Sequence, residues 1–480
     1  MQLVRSLDDA AFFHNGLEHL QIGEVHCQFS ERDLVVFLNR EQLVLYYSVF
    51  EKLNPAYACC NGIQTAARRN VSTSPRWFQT SVSTGRPTMS TAVASATLAE
   101  TPTAGAAVWI GLIGLAVAMG IGRFAFTPLL PLMQQDAGVS LVQGSWLATA
   151  NYVGYLVGAS ICISSPPAPA RAIQWGLVLI ALFTLGMGLT HELWLWLALR
   201  FLAGAASAFV LVGVSAWVMP ILTRLHQATR SGQVFAGVGV GICFAGLVGL
   251  VAGVTALGSQ ATWISLGVIA AGFALALWRP LASAGVHTTS MVGSGRAPLT
   301  RQAWTAALCY GAFGYGYIIP ATFLPALAHE VIKDPAVFGW VWPVFGAAAA
   351  VSTVFAMRLL PALSSRRLWA HGQWVLALGV VAPVFAINLT SLLFAALCVG
   401  GTFMVITMAG IQEARRLGGA QSARVVALYT AAFALGQIAG PLMVSLFNGG
   451  LLLPSLLAAL ALAASSLTLG LTARASGATV

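Results

Sequence analysis

The chain has 480 residues, of which 58% are hydrophobic and only 8% are charged, which excludes an ordinary soluble protein with about 25% charged residues. The formal net charge of +10 would suit a nucleic-acid partner, but residues 1–88 carry eight basic and eight acidic residues, so the excess lies in the apolar part. There the basic residues fall at the ends of apolar segments, a pattern typical of membrane topology. The composition therefore predicts a multi-pass protein of the lipid bilayer with no nucleic-acid partner.

An N-terminal extension, residues 1–106, differs from the rest of the chain. Residues 32–53 have the pattern of an amphipathic helix, and residues 66–90 are rich in Ser, Thr and Arg without an acid. Met89 opens a short polar stretch that leads directly into the first apolar segment, as a translation start would. We interpret residues 1–88 as a mispredicted or dispensable extension with little order, and we expect a chain that starts at Met89 to be fully active.

Twelve apolar segments follow, and each is long enough to cross a bilayer, which takes about 20 residues. They cover residues 107–133, 141–163, 172–190, 193–219, 232–256, 261–279, 302–327, 336–360, 369–388, 391–413, 422–446 and 451–472. The longest polar stretch among them, residues 280–301, divides the segments six and six. The sequence therefore predicts a six-helix bundle over 107–279, a central loop, a second bundle over 302–472, and a tail over 473–480.

The basic residues of the loops predict the orientation of the bundle. Thirteen arginines lie in the alternate loops after segments 2, 4, 6, 8 and 10 and in the C-terminal tail, whereas the opposite loops hold only Lys333. Basic residues near the ends of membrane segments stay on the cytoplasmic side. Both termini and the central loop are therefore predicted to be cytoplasmic, in the plasma membrane of a bacterium, its inner membrane.

The first segment contains a charge, Arg123, near its middle. A charged residue at that depth costs roughly 2.5 to 3.5 kcal/mol on insertion scales, so a functional role with a nearby partner or cavity is the first interpretation. Small and helix-breaking residues surround it, and they favour a helix that approaches its neighbours closely and bends. These residues are Gly120, Gly122, Pro128 and Pro131.

The two halves of the membrane region are related by an internal repeat. At an offset of 194 residues, Gly120, Gly122 and Pro131 of the first segment match Gly314, Gly316 and Pro325 of the seventh. At an offset of 191, Ser231, Val234 and Gly249 of the fifth segment match Ser422, Val425 and Gly440 of the eleventh. Similar offsets in separate helices indicate two homologous six-helix halves.

This layout, with LRFLAGAAS at residues 199–207 in the fourth segment, resembles the major facilitator superfamily. GIGRFAFTPLLPLM in the first segment, GGTFMVIT in the tenth and ALGQIAGP in the eleventh resemble its YbfB/YjiJ-like branch over most of residues 107–472. The resemblance implies an all-α membrane protein with twelve transmembrane helices in two pseudo-symmetric halves. It also implies that helices 1, 4, 7 and 10 line the transport path, and that Gly204 belongs to the signature of the fourth helix.

Arg123 and Arg200 are the only full charges well inside the apolar spans. We expect both arginines at a similar depth; if they face one cavity, an anionic or carboxylate-bearing substrate follows. The structural alternative is that backbone carbonyls or a nearby acid satisfy them. Tyr317, the repeat counterpart of Arg123, is a further candidate for substrate binding or coupling, together with Tyr152 and Gln437. Gly440 and Pro441 are further candidates for helix packing or hinge positions.

We therefore predict a secondary transporter that moves a small molecule by alternating access, with efflux as one direction and protons as a candidate coupling ion. A drug- or sugar-type efflux permease for a neutral or amphiphilic substrate is the alternative. A membrane receptor without transport and a membrane-embedded enzyme are weaker alternatives, since no catalytic set lies within the spans. We predict no cofactor, no metal site and a monomeric protein.

Overall fold

The computed structural model describes residues 103–282, 298–359 and 364–477. The predictions for residues 1–88 and for a start at Met89 lie outside the described residues, as does most of the central loop. Twelve long helices make up the described part, and they are numbered here in chain order. They are α1 Ala104–Asp136, α2 Leu141–Ser164, α3 Pro169–Gly188, α4 Leu193–Arg224, α5 Ser231–Val254, α6 Ser259–Ala282, α7 Arg301–Val331, α8 Val341–Leu359, α9 Ser365–Phe385, α10 Leu389–Gly418, α11 Ser422–Leu446 and α12 Leu452–Gly477.

Eleven of the helices in the described ranges are long and apolar enough to cross a membrane. The remaining one, α2, has 24 residues, or about 36 Å at 1.5 Å per residue, against a hydrocarbon core of about 30 Å. The predicted all-α membrane fold is therefore confirmed. Several helices run past the predicted segments, and α4 reaches Arg224 instead of residue 219. Hydropathy marks only the hydrocarbon layer, whereas backbone hydrogen bonding continues beyond it.

Polar residues in the short loops define where helices begin. The hydroxyl of Ser140 accepts a hydrogen bond from the backbone N–H of Gln143, and the Gln143 side chain accepts one from the backbone N–H of Ser140. The same reciprocal arrangement joins Asn388 and Ser391 at the start of α10. Each capping box satisfies backbone donors that a helix leaves unpaired at its first turn. These caps therefore stabilise the first turns of α2 and α10.

The ends of α5 and α11 repeat one another in detail. Each helix is preceded by a single 3₁₀ turn, Ala228–Arg230 and Gly419–Gln421 respectively. After α5 the chain reverses at Ala256 with φ of 53°, and after α11 it reverses at Asn448 with φ of 52°. The left-handed conformation closes a helix end and is uncommon for residues other than glycine. The repeat-related helices α5 and α11 therefore end in the same backbone conformation, two residues past the last helical residue.

The two halves meet around a pseudo-two-fold axis between α1 and α7. The Thr127 hydroxyl donates a hydrogen bond of 2.9 Å to the carbonyl oxygen of Ala321, and the side-chain nitrogens of Gln135 and His329 lie 2.7 Å apart. Both pairs are separated by 194 residues, the offset of the sequence repeat in these helices. Residues beside a two-fold axis contact their own counterparts. The sequence repeat therefore corresponds to an approximate two-fold relation between α1 and α7 in the structure.

Small residues allow the helices of each half to cross at close range. A side chain on Gly120 would overlap the backbone of Gly241 in α5, and one on Gly314 would overlap that of Phe433 in α11. Side chains on the other predicted packing glycines would meet a neighbouring helix in the same way: Gly122 meets Ser207, Gly204 meets Asn151, Gly316 meets Leu462 and Gly440 meets Ile318.

The prolines Pro128, Pro131, Pro325 and Pro441 all lie within the long helices α1, α7 and α11. Between the halves, α5 packs along α8, and α2 packs along α11.

A substitution of Gly204 tests this close packing. We expect Gly204→Ala to lower the free energy of unfolding by about 1–3 kcal/mol, because the new Cβ would overlap the carbonyl oxygen of Asn151. Gly401→Ala in α10 is the matched control, since nothing lies within 4 Å of its Cβ position, and it should be neutral or slightly stabilising. Thermal unfolding of the purified protein measures both effects, and equal melting temperatures for the two variants would contradict the close crossing.

Candidate functional site

The middle of α1 is a π-helix, which covers Ala116–Phe124 and includes Arg123. In a π-helix the backbone N–H bonds to the carbonyl five residues earlier, so carbonyls at the return to α-helix are often left without a donor. Pro128 lies five residues after Arg123 and has no N–H to offer. The carbonyl oxygen of Arg123 can therefore take a hydrogen bond from a donor in another part of the protein. Sequence inspection predicted a bend in this region but not a π-helix.

Arg200 of α4 supplies that donor. Its Nη2 donates to the carbonyl oxygen of Arg123 at 3.0 Å, and its Nη1 donates to that of Gly122 at 3.3 Å. The Asn151 side chain of α2 donates to the Gly122 carbonyl at 3.3 Å and to the Arg200 carbonyl at 2.8 Å. Arg200 is 2% exposed. The guanidinium of Arg200 thus bonds to the backbone of α1. This matches the alternative given in the sequence analysis, in which backbone carbonyls accept the hydrogen bonds of a buried arginine.

Arg123 makes different contacts. Its side chain is 3% exposed, and its Nη2 donates a single hydrogen bond of 3.0 Å, to the side-chain oxygen Oε1 of Gln437 in α11. The guanidinium carbon lies 4.2 Å from the ring centre of Tyr155 and 5.2 Å from that of Tyr152. Aromatic faces attract a cation, but they do not neutralise it. The Nε of Arg123 is buried and has no hydrogen-bond partner.

Tyr317 and Gln437 extend this site into the second half of the protein. The Gln437 side-chain nitrogen donates a hydrogen bond to the hydroxyl of Tyr317. The ring of Tyr317 is nearly parallel to those of Phe403 and Phe433, with ring centres 5.6 and 5.5 Å away. These rings form an aromatic wall on α7, α10 and α11.

The structure brings four of the five predicted binding residues into one cluster. Arg123, Gln437 and Tyr317 form a continuous hydrogen-bonded chain, and Tyr152 joins it by its ring over Arg123 and by a hydrogen bond of 2.9 Å to the Thr322 hydroxyl. Arg200 lies beside the cluster, where its guanidinium donates to backbone carbonyls and not to the side chains of the hydrogen-bonded chain. The chain crosses from the first half to the second, because Arg123 and Tyr152 belong to α1 and α2, whereas the others belong to α7 and α11.

The charge of this cluster is not balanced within the described part of the chain. The ion pairs found there join Arg366 and Arg416 to Glu413, and neither Arg123 nor Arg200 has a carboxylate partner. A buried guanidinium without an acid favours a negatively charged ligand, because the low dielectric of the interior strengthens the attraction. The cluster can therefore bind an anion and hold its apolar part against aromatic rings.

A second buried charge cluster, formed by Arg366, Glu413 and Arg416, was not predicted from the sequence. Arg366 in the first turn of α9 is 5% exposed, and Glu413 in α10 is 1% exposed, with 2.7 Å between their charged atoms. Arg416 pairs with the same carboxylate at 2.7 Å, and Arg366 also donates to the Thr472 carbonyl of α12. Opposite charges at the ends of neighbouring helices were the available signal.

The fold, with twelve long helices in the described part and contacts between residues that the repeat relates, is that of a membrane transporter of the major facilitator type. The chain matches the family model described as "Uncharacterised MFS-type transporter YbfB" over residues 115–473, and it belongs to that family. The resemblance that its helix motifs suggested is therefore confirmed. Membership identifies a transporter rather than an enzyme.

Two relatives illustrate the similarity. An "Uncharacterized MFS-type transporter" of Yersinia pestis (strain Pestoides F) is 26% identical over 345 residues, which cover 66% of this chain and 83% of the relative. The "Uncharacterized MFS-type transporter YceJ" of Bacillus subtilis (strain 168) is 28% identical over 142 residues, which cover 29% of this chain and 34% of the relative. Both names describe transporters without stating a substrate.

Proposed function

We propose that the protein is a secondary transporter that moves a small anionic or carboxylate-bearing substrate by alternating access, with Arg123 as the contact for the negative group. The observation that carries this proposal is the buried guanidinium of Arg123, which lies between the two halves without an acid partner in the described ranges. Such a cation is costly in the empty protein. A carboxylate that binds there restores charge balance and forms charge-assisted hydrogen bonds.

A neutral or amphiphilic substrate is the second candidate. The rings of Tyr155, Tyr317 and Phe403 favour it, because an aromatic surface binds the apolar part of many compounds regardless of charge. Efflux from a bacterial cell through the inner membrane fits either substrate class, and the cytoplasmic placement of both termini rests on the distribution of arginines. Protons remain the candidate coupling ion.

Flux measurements in proteoliposomes distinguish the two substrate classes. We expect the reconstituted protein to move labelled benzoate or hexanoate at least about tenfold faster than protein-free vesicles move it, and to leave glucose and a cationic dye in place. An imposed pH gradient tests whether protons drive the flux. Transport of the neutral or cationic probes without any transport of the carboxylates would contradict the proposed anion specificity.

A further inference from the structure

We propose that the side-chain oxygen of Gln437 occupies the place of the substrate's anionic oxygen in the empty protein, and that a bound monocarboxylate displaces it from Arg123. This inference rests on the proposed function and adds two statements to it. Gln437 determines the affinity for the anion, and the substrate carries one negative charge.

The orientation of the Gln437 amide follows from the chemistry of its neighbours. A guanidinium only donates hydrogen bonds, so the amide must turn its oxygen toward Arg123. Its nitrogen then faces the hydroxyl of Tyr317 and donates to it. The two contacts hold the amide with its most negative atom on the arginine. A carboxylate oxygen would present the same acceptor with a full charge.

The hydrogen bonds of Arg123 leave room for a better acceptor. The guanidinium carries five N–H donors, and within the described part of the chain it uses one of them, with Nε buried and unpartnered. A carboxylate can accept two parallel hydrogen bonds from an arginine, and charge-assisted bonds are roughly twice as strong as neutral ones. Exchange of the amide oxygen for a carboxylate is therefore favourable once the substrate reaches the site.

The donors directed at the cluster fit a substrate with one negative charge. Among the described residues, Arg200 is the other cation beside the cluster, and its two terminal nitrogens donate to the carbonyl oxygens of Gly122 and Arg123. Arg123 is left to pair with an anionic group there, so the second negative charge of a dicarboxylate or a phosphate dianion would lack a hydrogen-bonded cation. The rings around Arg123 fit an aromatic or aliphatic body on the same molecule.

Displacement of Gln437 also connects binding to motion of the halves. Arg123 belongs to the first half, whereas Gln437 and Tyr317 belong to the second, so the exchanged hydrogen bond is a contact between halves. A ligand shifts a conformational equilibrium only by its differential affinity for the two states. Replacing a direct contact with a substrate-mediated one supplies such a difference.

The test is thermal unfolding of the purified full-length protein with sodium benzoate, its neutral analogue benzamide, and sodium phosphate. We expect benzoate to raise the melting temperature of the wild type with a saturable dose dependence, and benzamide and phosphate to leave it unchanged. Gln437→Glu places a permanent carboxylate on Arg123. It should raise the melting temperature without ligand and weaken the benzoate affinity by at least about tenfold. Gln437→Leu removes the internal competitor, and we expect its affinity to equal or exceed that of the wild type.

The outcomes separate this inference from the proposed function. If Gln437→Glu binds benzoate with an affinity within about threefold of the wild type, the displacement is overturned. A loss of benzoate affinity of about tenfold in Gln437→Leu also overturns it. Gln437→Leu decides the question if Gln437→Glu does not fold. Absence of any benzoate effect on the wild type, or an equal effect of phosphate, overturns the monoanion assignment. Retention of the benzoate effect in Arg123→Gln overturns the anion contact itself, and with it the proposed function.

Discussion

Arg123→Gln is expected to abolish carboxylate transport while the protein still inserts and folds. Loss of charge-assisted hydrogen bonds worth about 1.5–3 kcal/mol weakens substrate binding by roughly 10- to 150-fold. The folded state gains from the same change, because a buried cation without an acid partner in the described ranges is removed. The melting temperature should therefore equal or exceed that of the wild type, as is common where a site is built at the expense of stability.

Uptake of labelled benzoate into proteoliposomes, read beside the melting temperature, measures both effects. Arg123→Lys is the matched variant, since it keeps the charge but offers a point donor in place of the planar fork, and we expect it to retain only part of the activity. Normal transport by Arg123→Gln would remove this residue from the substrate path. A strongly lowered melting temperature would instead support a structural role for its bond to Gln437.

Glu413→Gln is expected to give the largest loss of stability, about 3–5 kcal/mol, because it leaves the buried cation of Arg366 unbalanced. Arg416 loses the same partner, but it is 57% exposed and reaches solvent. The bond from Arg366 to the Thr472 carbonyl does not replace a carboxylate. Thermal or denaturant unfolding of the purified protein measures the change.

Two controls make this test specific. Glu330→Gln changes an exposed glutamate at the end of α7, and such surface changes stay within about 0.5 kcal/mol. The double variant Arg366→Met/Glu413→Met removes both buried charges together and should recover most of the stability, because well-packed apolar pairs replace buried ion pairs at little cost. A loss below about 0.5 kcal/mol for Glu413→Gln, the size of a surface effect, would contradict a stabilising role for the buried pair.

The repeat in the sequence anticipated much of the architecture. The offset of 194 residues relates Thr127 to Ala321 and Gln135 to His329, and these residues contact one another across the axis. The positions of Gly120 and Gly314 predicted close crossings, which the structure places against α5 and α11 respectively. Such features follow from the sequence because helix length, apolar composition and small residues act locally, within one helix and the neighbour it touches.

The direction in which each buried polar group points could not be read from the chain. Arg123 and Arg200 carry the same charge in similar apolar surroundings, yet one meets Gln437, 314 residues away, and the other meets the carbonyls of a π-helix. The ion pair of Arg366 and Glu413 likewise depends on how α9 and α10 end beside each other. These choices depend on which donors and acceptors helix packing brings within about 3 Å.

The sequence alone thus determined that this protein crosses a membrane with two related sets of six helices, since bilayer thickness and the scarcity of charge leave few other solutions. Only the tertiary structure decided that the terminal nitrogens of Arg200 bond to the backbone of α1, whereas Arg123 bonds to Gln437 of the second half. The physical reason is that a buried hydrogen bond requires exact placement of two atoms. That placement is set by the crossing of helices far apart in the chain.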